Sequence, residues 1–275
     1  GNAQFTDTAV GMTGEDMVYV RNNYSTTTLD NMLEAYCKDL FVYINDGDKV
    51  TVSGNMSEYM QTLVGELVAG GSVTLGEDVD FSKLGSSLTL ASDTEIDLNG
   101  HSVKLATGQL RNSATLTLTG EGELTAPAQV IYNEGKVVIE SGTYRATNSG
   151  DGSIVFNGNG GEVVINGGDL KTSGNFAIQN NYGKSVTING GSIVSTSVGD
   201  YCILMHGSGT LTVTDGYIEG NFGCVRLHGG TNAHISGGTF VSTGSYYALF
   251  VGATGKGATA EVSGVHAYMS VRAMN

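Results

Sequence analysis

Residues 162–183 read EVVINGGDLKTSGNFAIQNNYG, and the fold is decided there. Val163 and Ile165 alternate with polar residues, Gly167-Gly168 follows, then Leu170 and Thr172, then Ser173-Gly174-Asn175, then Ile178 and Asn180. Alternation commits one side of each segment to a core, and the Gly/Asn/Ser breaks turn the chain between segments. The stretch reads as three short strands and two turns. The pattern then recurs. Gly122, Gly142, Gly168, Gly191, Gly216 and Gly238 are each followed two residues later by Leu124, Tyr144, Leu170, Ile193, Ile218 and Phe240, with spacings of 20, 26, 23, 25 and 22. Before them stand Leu116/Leu118, Val137/Ile139, Val163/Ile165, Val186/Ile188, Leu211/Val213 and Ala233/Ile235. Self-similarity at this period marks an all-β solenoid whose rungs bury a shared core by stacking.

The third strand of each rung predicts columns. Ile131, Val155, Ile178, Ile203, Val225 and Leu249 align as one inward column, and Asn133, Asn157, Asn180, Met205, Leu227 and Val251 as the next. Three successive inward asparagines predict a ladder of side-chain amides, each bonded to the next rung about 4.8 Å away. Cys202 and Cys224 precede the first column by one residue, beside Val130, Ile154, Ala177 and Ala248, and are expected to be neighbouring free thiols.

Residues 1–54 lack the repeat and read as a small α+β preface. A strand is expected near Met17–Val20. A helical stripe runs through Leu29, Met32, Leu33, Tyr36, Cys37 and Leu40, and Asn45-Asp46-Gly47-Asp48 is expected to turn a hairpin. Residues 55–275 form the second region. It opens with a helix over 56–69, carrying Met56, Tyr59, Met60, Leu63, Val64, Leu67 and Val68 on one stripe, Asn55 as its cap and Gly70-Gly71 as its stop. A solenoid's first rung exposes an open core, and this helix is placed to cover it.

Composition narrows the function. The chain has 275 residues, 42 glycines, one proline, and a net charge of -14 from 27 acidic and 13 basic side chains. Such a balance argues against nucleic acid, whose binders neutralise phosphates with Lys and Arg, and disfavours polyanionic ligands. No apolar run is long enough to span a membrane. Three cysteines without a CxxC pair predict neither a disulfide scaffold nor zinc, and no metal or cofactor is expected. No secretory leader is visible, so a secreted or cell-surface location is expected from fold and composition alone.

Asp97-Leu98-Asn99-Gly100-His101-Ser102-Val103 resembles a stretch common in early rungs of the pectin-lyase-like superfamily, and Val186-Thr-Ile-Asn-Gly-Gly-Ser-Ile193 resembles rungs of bacterial surface proteins of that group. The resemblance covers about residues 70–275 and implies a right-handed parallel β-helix with three strands per rung. That superfamily includes lyases, hydrolases, phage tailspikes and adhesins, so it implies no single activity.

Catalytic residues are sought on outward positions. Glycoside hydrolysis wants two carboxylates about 5 to 9.5 Å apart, which rungs stacked about 4.8 Å apart supply from positions one or two rungs apart in one column. Asp151 and Asp200 fall two rungs apart with Asn175 between them, and Asp169, Asp215 and Glu219 near the glycine turn make no adjacent pair. Elimination on uronates wants a base, and Arg226, His206 and His228 form the best polar cluster for one, without the stacked acids that calcium needs. Tyr132, Phe156, Gln179, Leu204, Arg226 and Phe250 line the outward column, with Tyr201, Tyr246 and Tyr247 at the loops entering it. Exposed rings flanked by hydrogen-bonding groups bind sugars by burying their C–H faces. The same rings could instead be covered by the preface or by a second copy of the chain.

The expectation is a non-catalytic binding or adhesion protein of bacterial or phage origin, engaging a polysaccharide or cell-surface glycan through Tyr132, Phe156, Arg226, Phe250, Tyr201, Tyr246 and Tyr247, with self-association as a further possibility. A polysaccharide lyase or glycoside hydrolase using Arg226, His206 and His228 is the alternative.

Overall fold

Apolar residues spaced two apart, separated by glycine turns every two dozen residues, leave the chain one way to bury them: coil, and stack the coils. The computed structural model describes residues 18–21, 40–44, 49–54, 58–82, 87–252 and 257–269. They fall in two compact units that divide within a helix, after Gly65.

In the first unit, β1 (Val18–Arg21), β2 (Leu40–Ile44) and β3 (Lys49–Gly54) form an antiparallel sheet in the order β1-β3-β2. Ile44 pairs with Val50, as the hairpin reading requires. Leu40, assigned to a helical stripe by its spacing, lies in a strand instead, because its pairing with Gly54 extends the hairpin by a residue. The rest of that stripe, including Cys37, and the turn at 45–48 lie outside the described residues. So do Asn55 and Met56. Helix α1 (Glu58–Ala69) starts in this unit, where Leu63 and Val64 are buried.

The second unit is a parallel β-solenoid. Its first face is a nine-stranded sheet running from Gly71–Thr74 to Thr259–Val262, and the second and third faces share a fifteen-stranded sheet. The helix ends at Gly70 in the left-handed region (φ 85°), and its last turn delivers Leu67 to the first rungs, beside Leu75, Phe81 and Leu88. The inward pairs fall in register: Leu116 with Val137, Val137 with Val163, Val163 with Val186, Val186 with Leu211. All five are fully buried, each contributing roughly 1.5–3 kcal/mol of transfer free energy. Tyr144 occupies the inward column of the second face, and its hydroxyl donates to the Ser141 carbonyl at 2.8 Å. Burial holds that phenol far above its ordinary pKa.

The six turn glycines all have positive φ. At Gly191 (φ 82°) a Cβ would also stand 2.8 Å from the Gly167 carbonyl oxygen one rung away, so conformation and space both require glycine.

Two rungs depart from the expected pattern. The second and third strands merge into continuous strands, Thr143–Asn157 and Asp169–Asn181, so no turn interrupts the chain at Ser173-Gly174-Asn175. Gly150 stays paired with Gly174 and Ser153 with Phe176 across two register shifts. The chain takes seven steps from Ala146 to Ser153 but four between their partners Thr172 and Phe176, which locates the three residues that lengthen this repeat.

The ladder is longer than three. Asn112 donates to Asn133 at 2.8 Å, Asn133 to Asn157 at 2.7 Å, and Asn157 to Asn180 at 2.6 Å. All four residues are buried, and each side-chain amide also donates to nearby backbone carbonyls. Buried amides require such closure, because an unpaired one forfeits its hydration without return. At the far end the columns open. Leu249 is half-buried and Val251 exposed, since Leu249–Val251 pairs with one strand only among the described residues.

Cys202 and Cys224 are fully buried free thiols in consecutive rungs, fixed by the pairing of Ile203 with Val225. Burial pushes both up, Cys224 to about 12. Both are expected to resist an aromatic disulfide reagent at pH 8 in the native protein and to react within minutes in denaturant; rapid native labelling would show that the third face is not closed.

Candidate binding face

The outward residues of the third strands stack as the repeat predicts: Tyr132 against Phe156, Phe156 against Gln179, Gln179 against Leu204, Leu204 against Arg226, Arg226 against Phe250. All six are half-buried. Tyr132 and Phe156 stack with centroids 5.1 Å apart and planes 14° from parallel. Arg111 extends the column by one rung, with its guanidinium carbon 4.6 Å from the Tyr132 ring centre. Arg111 was not among the expected site residues, although Leu110-Arg111-Asn112 repeats the phase of Ile131-Tyr132-Asn133.

At the other end the rings cluster. Tyr246 and Tyr247 are 47% and 56% exposed, and Tyr247 lies near-parallel to Phe250 at 6.5 Å. Tyr201 is not on the surface: it is 3% exposed, wedged 5.3 Å from Phe222 edge-on and 6.0 Å from Phe250. The expectation of a contacting ring is corrected for Tyr201, since Phe222, which itself stacks on Tyr246 at 3.7 Å, helps enclose it. Tyr201 supports the platform from beneath. Phe222 lay outside the strand phases, so alternation gave no signal for it.

Arg226 sits between Leu204 and Phe250 with Asp200 at 3.4 Å. One guanidinium nitrogen, Nε, is buried without a hydrogen-bond partner. His206 meets His228 at 5.5 Å and Tyr182 at 5.0 Å, both edge-on, and its Nδ1 lies 3.2 Å from the Asn181 side-chain oxygen. Burial, then the charges of Arg226 and His206, lower the pKa of His228, so this imidazole is neutral at pH 7. The three polar candidates are therefore contiguous, with His228 fit to accept a proton rather than donate one.

Carboxylates are arranged otherwise. Asp169 is flanked in its column by Thr143 and Ser192, and Glu219 by Val194 and Val241, so neither has an acid on the neighbouring rung. Glu219 instead accepts from the Tyr217 hydroxyl, which is pushed up to about 12 by that bond. The side chain of Asp151 is outside the described residues. Among the described residues no group of three His, Cys, Asp or Glu is placed to hold a metal ion, and no helix is long and apolar enough to cross a membrane. His101, in the early-rung turn, lies 3.5 Å from Asp78, a bond that ties neighbouring coils.

Comparisons of the chain with protein families, with curated proteins and with solved structures gave no match.

Proposed function

We propose that this is a non-catalytic binding protein of the cell surface or extracellular space, bacterial or phage, that engages a polysaccharide or cell-surface glycan through the third face of its solenoid. The observation that carries the reading is the pair of exposed rings, Tyr246 and Tyr247, set on an aromatic base of buried Tyr201 and half-buried Phe222 beside Phe250. A rigid ring costs little entropy to present, and its face matches the apolar side of a sugar. Asp169 and Glu219 each lack an acid on the neighbouring rung, which favours binding over turnover. Within this reading the chain is an adhesin-like branch of the pectin-lyase-like architecture, and a second copy is an admissible partner for the same rings.

Replacing both Tyr247 and Phe250 with Ala is expected to lower affinity for the best hit of a glycan array roughly tenfold or more, two rings each contributing about 0.5–1.5 kcal/mol. The same variant should keep the parent's oligomeric state. Undiminished glycan binding would remove this end of the face from consideration, and a change from oligomer to monomer would assign the rings to self-association.

A second reading rests on the neutral His228 beside Arg226: a lyase in which the arginine holds a uronate carboxylate and the imidazole removes the α-proton. Release of unsaturated uronate from a polysaccharide panel, abolished by Arg226→Ala, would establish it over the first.

A further inference from the structure

The third face also carries a concavity well away from the Tyr246/Tyr247 rings. It spans about 460 Å³, is open to solvent, and is lined by Thr107, Gln129, Ser153, Phe156, Phe176 and Gln179. Its origin lies in one column. Gln129, Ser153, Phe176 and Tyr201 occupy corresponding positions on successive rungs, since Ser153 pairs with Phe176 and the flanking strands are in register. Two of those rungs fill the position with a ring, Phe176 at 7% and Tyr201 at 3% exposure. The rung before them, between Gln129 and Phe176, offers Ser153, preceded by Gly152. The hollow lies where this rung lacks the ring that the next two rungs carry.

The hydroxyl left there is unsatisfied. Ser153 is 1% exposed, and its Oγ is sealed from solvent without a hydrogen-bond partner. Native proteins satisfy nearly all such groups, and an exception points to something that completes it. The chemistry of the walls says what. No charged side chain lines the hollow, and the chain's charge of -14 repels anions. Two phenyl rings offer apolar faces, while two carboxamides and two hydroxyls offer donors and acceptors. The volume suits a small ligand. We propose that this is a binding pocket for one neutral pyranose ring, seated between Phe156 and Phe176, with Ser153 Oγ turning out of its buried rotamer to bond a sugar hydroxyl. The proposal rests on the glycan-binding reading and gives it a sugar-by-sugar subsite.

The test is calorimetry and saturation-transfer NMR with methyl glycosides of glucose, galactose, mannose, N-acetylglucosamine and glucuronate. At least one neutral glycoside should bind saturably at millimolar concentration, with the glucuronate at least tenfold weaker. Ser153→Phe, which supplies the ring that the next two rungs carry, should abolish binding while the melting temperature holds or rises. Ser153→Ala keeps the hollow and should weaken binding severalfold; it carries the test if the larger side chain misfolds. The Tyr247/Phe250 double variant should bind the glycoside within twofold of the parent. Absence of saturable binding by every neutral glycoside, or unchanged binding by both Ser153 variants, would overturn the pocket. Polysaccharide binding lost on removal of Tyr247 and Phe250 would still leave the wider reading standing, so the two failures are distinguishable.

Discussion

Asn157→Asp should cost roughly 3–5 kcal/mol at pH 7 and much less at pH 4. The carboxamide of Asn157 donates to Asn180 Oδ1 at 2.6 Å and to the Gly161 carbonyl at 2.9 Å, and accepts from Asn133 at 2.7 Å. A carboxylate keeps the accepting role but turns both donations into contacts between acceptors, in a position that is fully buried. Burial without a cation raises the acid's folded-state pKa above its unfolded value of about 4. The sign follows: below the unfolded value the acid is neutral in both states and the charge penalty is absent. Stability is then lost as pH rises toward the folded value, and the deficit is constant above it. Urea unfolding of parent and variant at both pH values isolates the effect as a difference of differences. A deficit independent of pH would mean that the amides do not meet as a ladder.

Leu67→Asp should be of similar size, about 3–5 kcal/mol. Leu67 is 4% exposed and borders a space of about 20 Å³ walled by Leu75, Phe81, Leu88, Leu98 and Leu110. A carboxylate there finds no donor, and a water drawn in with it would find no other polar partner. Val68, the next residue, is 42% exposed, so Val68→Asp should fall within about 0.5 kcal/mol of the parent. Equal melting of the two variants would show that the helix does not close the first rungs.

The columns were legible because inward residues obey two periods at once, the strand's alternation and the rung's repeat. Ile131, Val155, Ile178, Ile203 and Val225 satisfy both and stack as read. Asn112 satisfies both too and could have been found by extending the phase one rung backward. Corners are different. Ala177 and Ile178 are consecutive yet both buried, because the chain bends there and alternation loses its meaning. Tyr201, Phe222, Tyr246 and Tyr247 all lie near such bends, so their sequence gave no clue to which rings are enclosed and which exposed. The hollow at Ser153 was hidden for the same reason, being a difference in volume between Ser153 and Phe176 at a corner whose orientation no pattern predicts.

Every hydrogen bond between rungs points along the stack, whereas the covalent chain runs across it. Tension on one end of the solenoid would therefore detach strands at the outermost coil first, loading each ladder in sequence rather than together. Each release would free one repeat of 20 to 26 residues, about 70–90 Å of extended chain. The amides of Asn112, Asn133, Asn157 and Asn180 brace four consecutive coils from inside, so extension should stall when it reaches them. That block is a mechanical stop built into a spring.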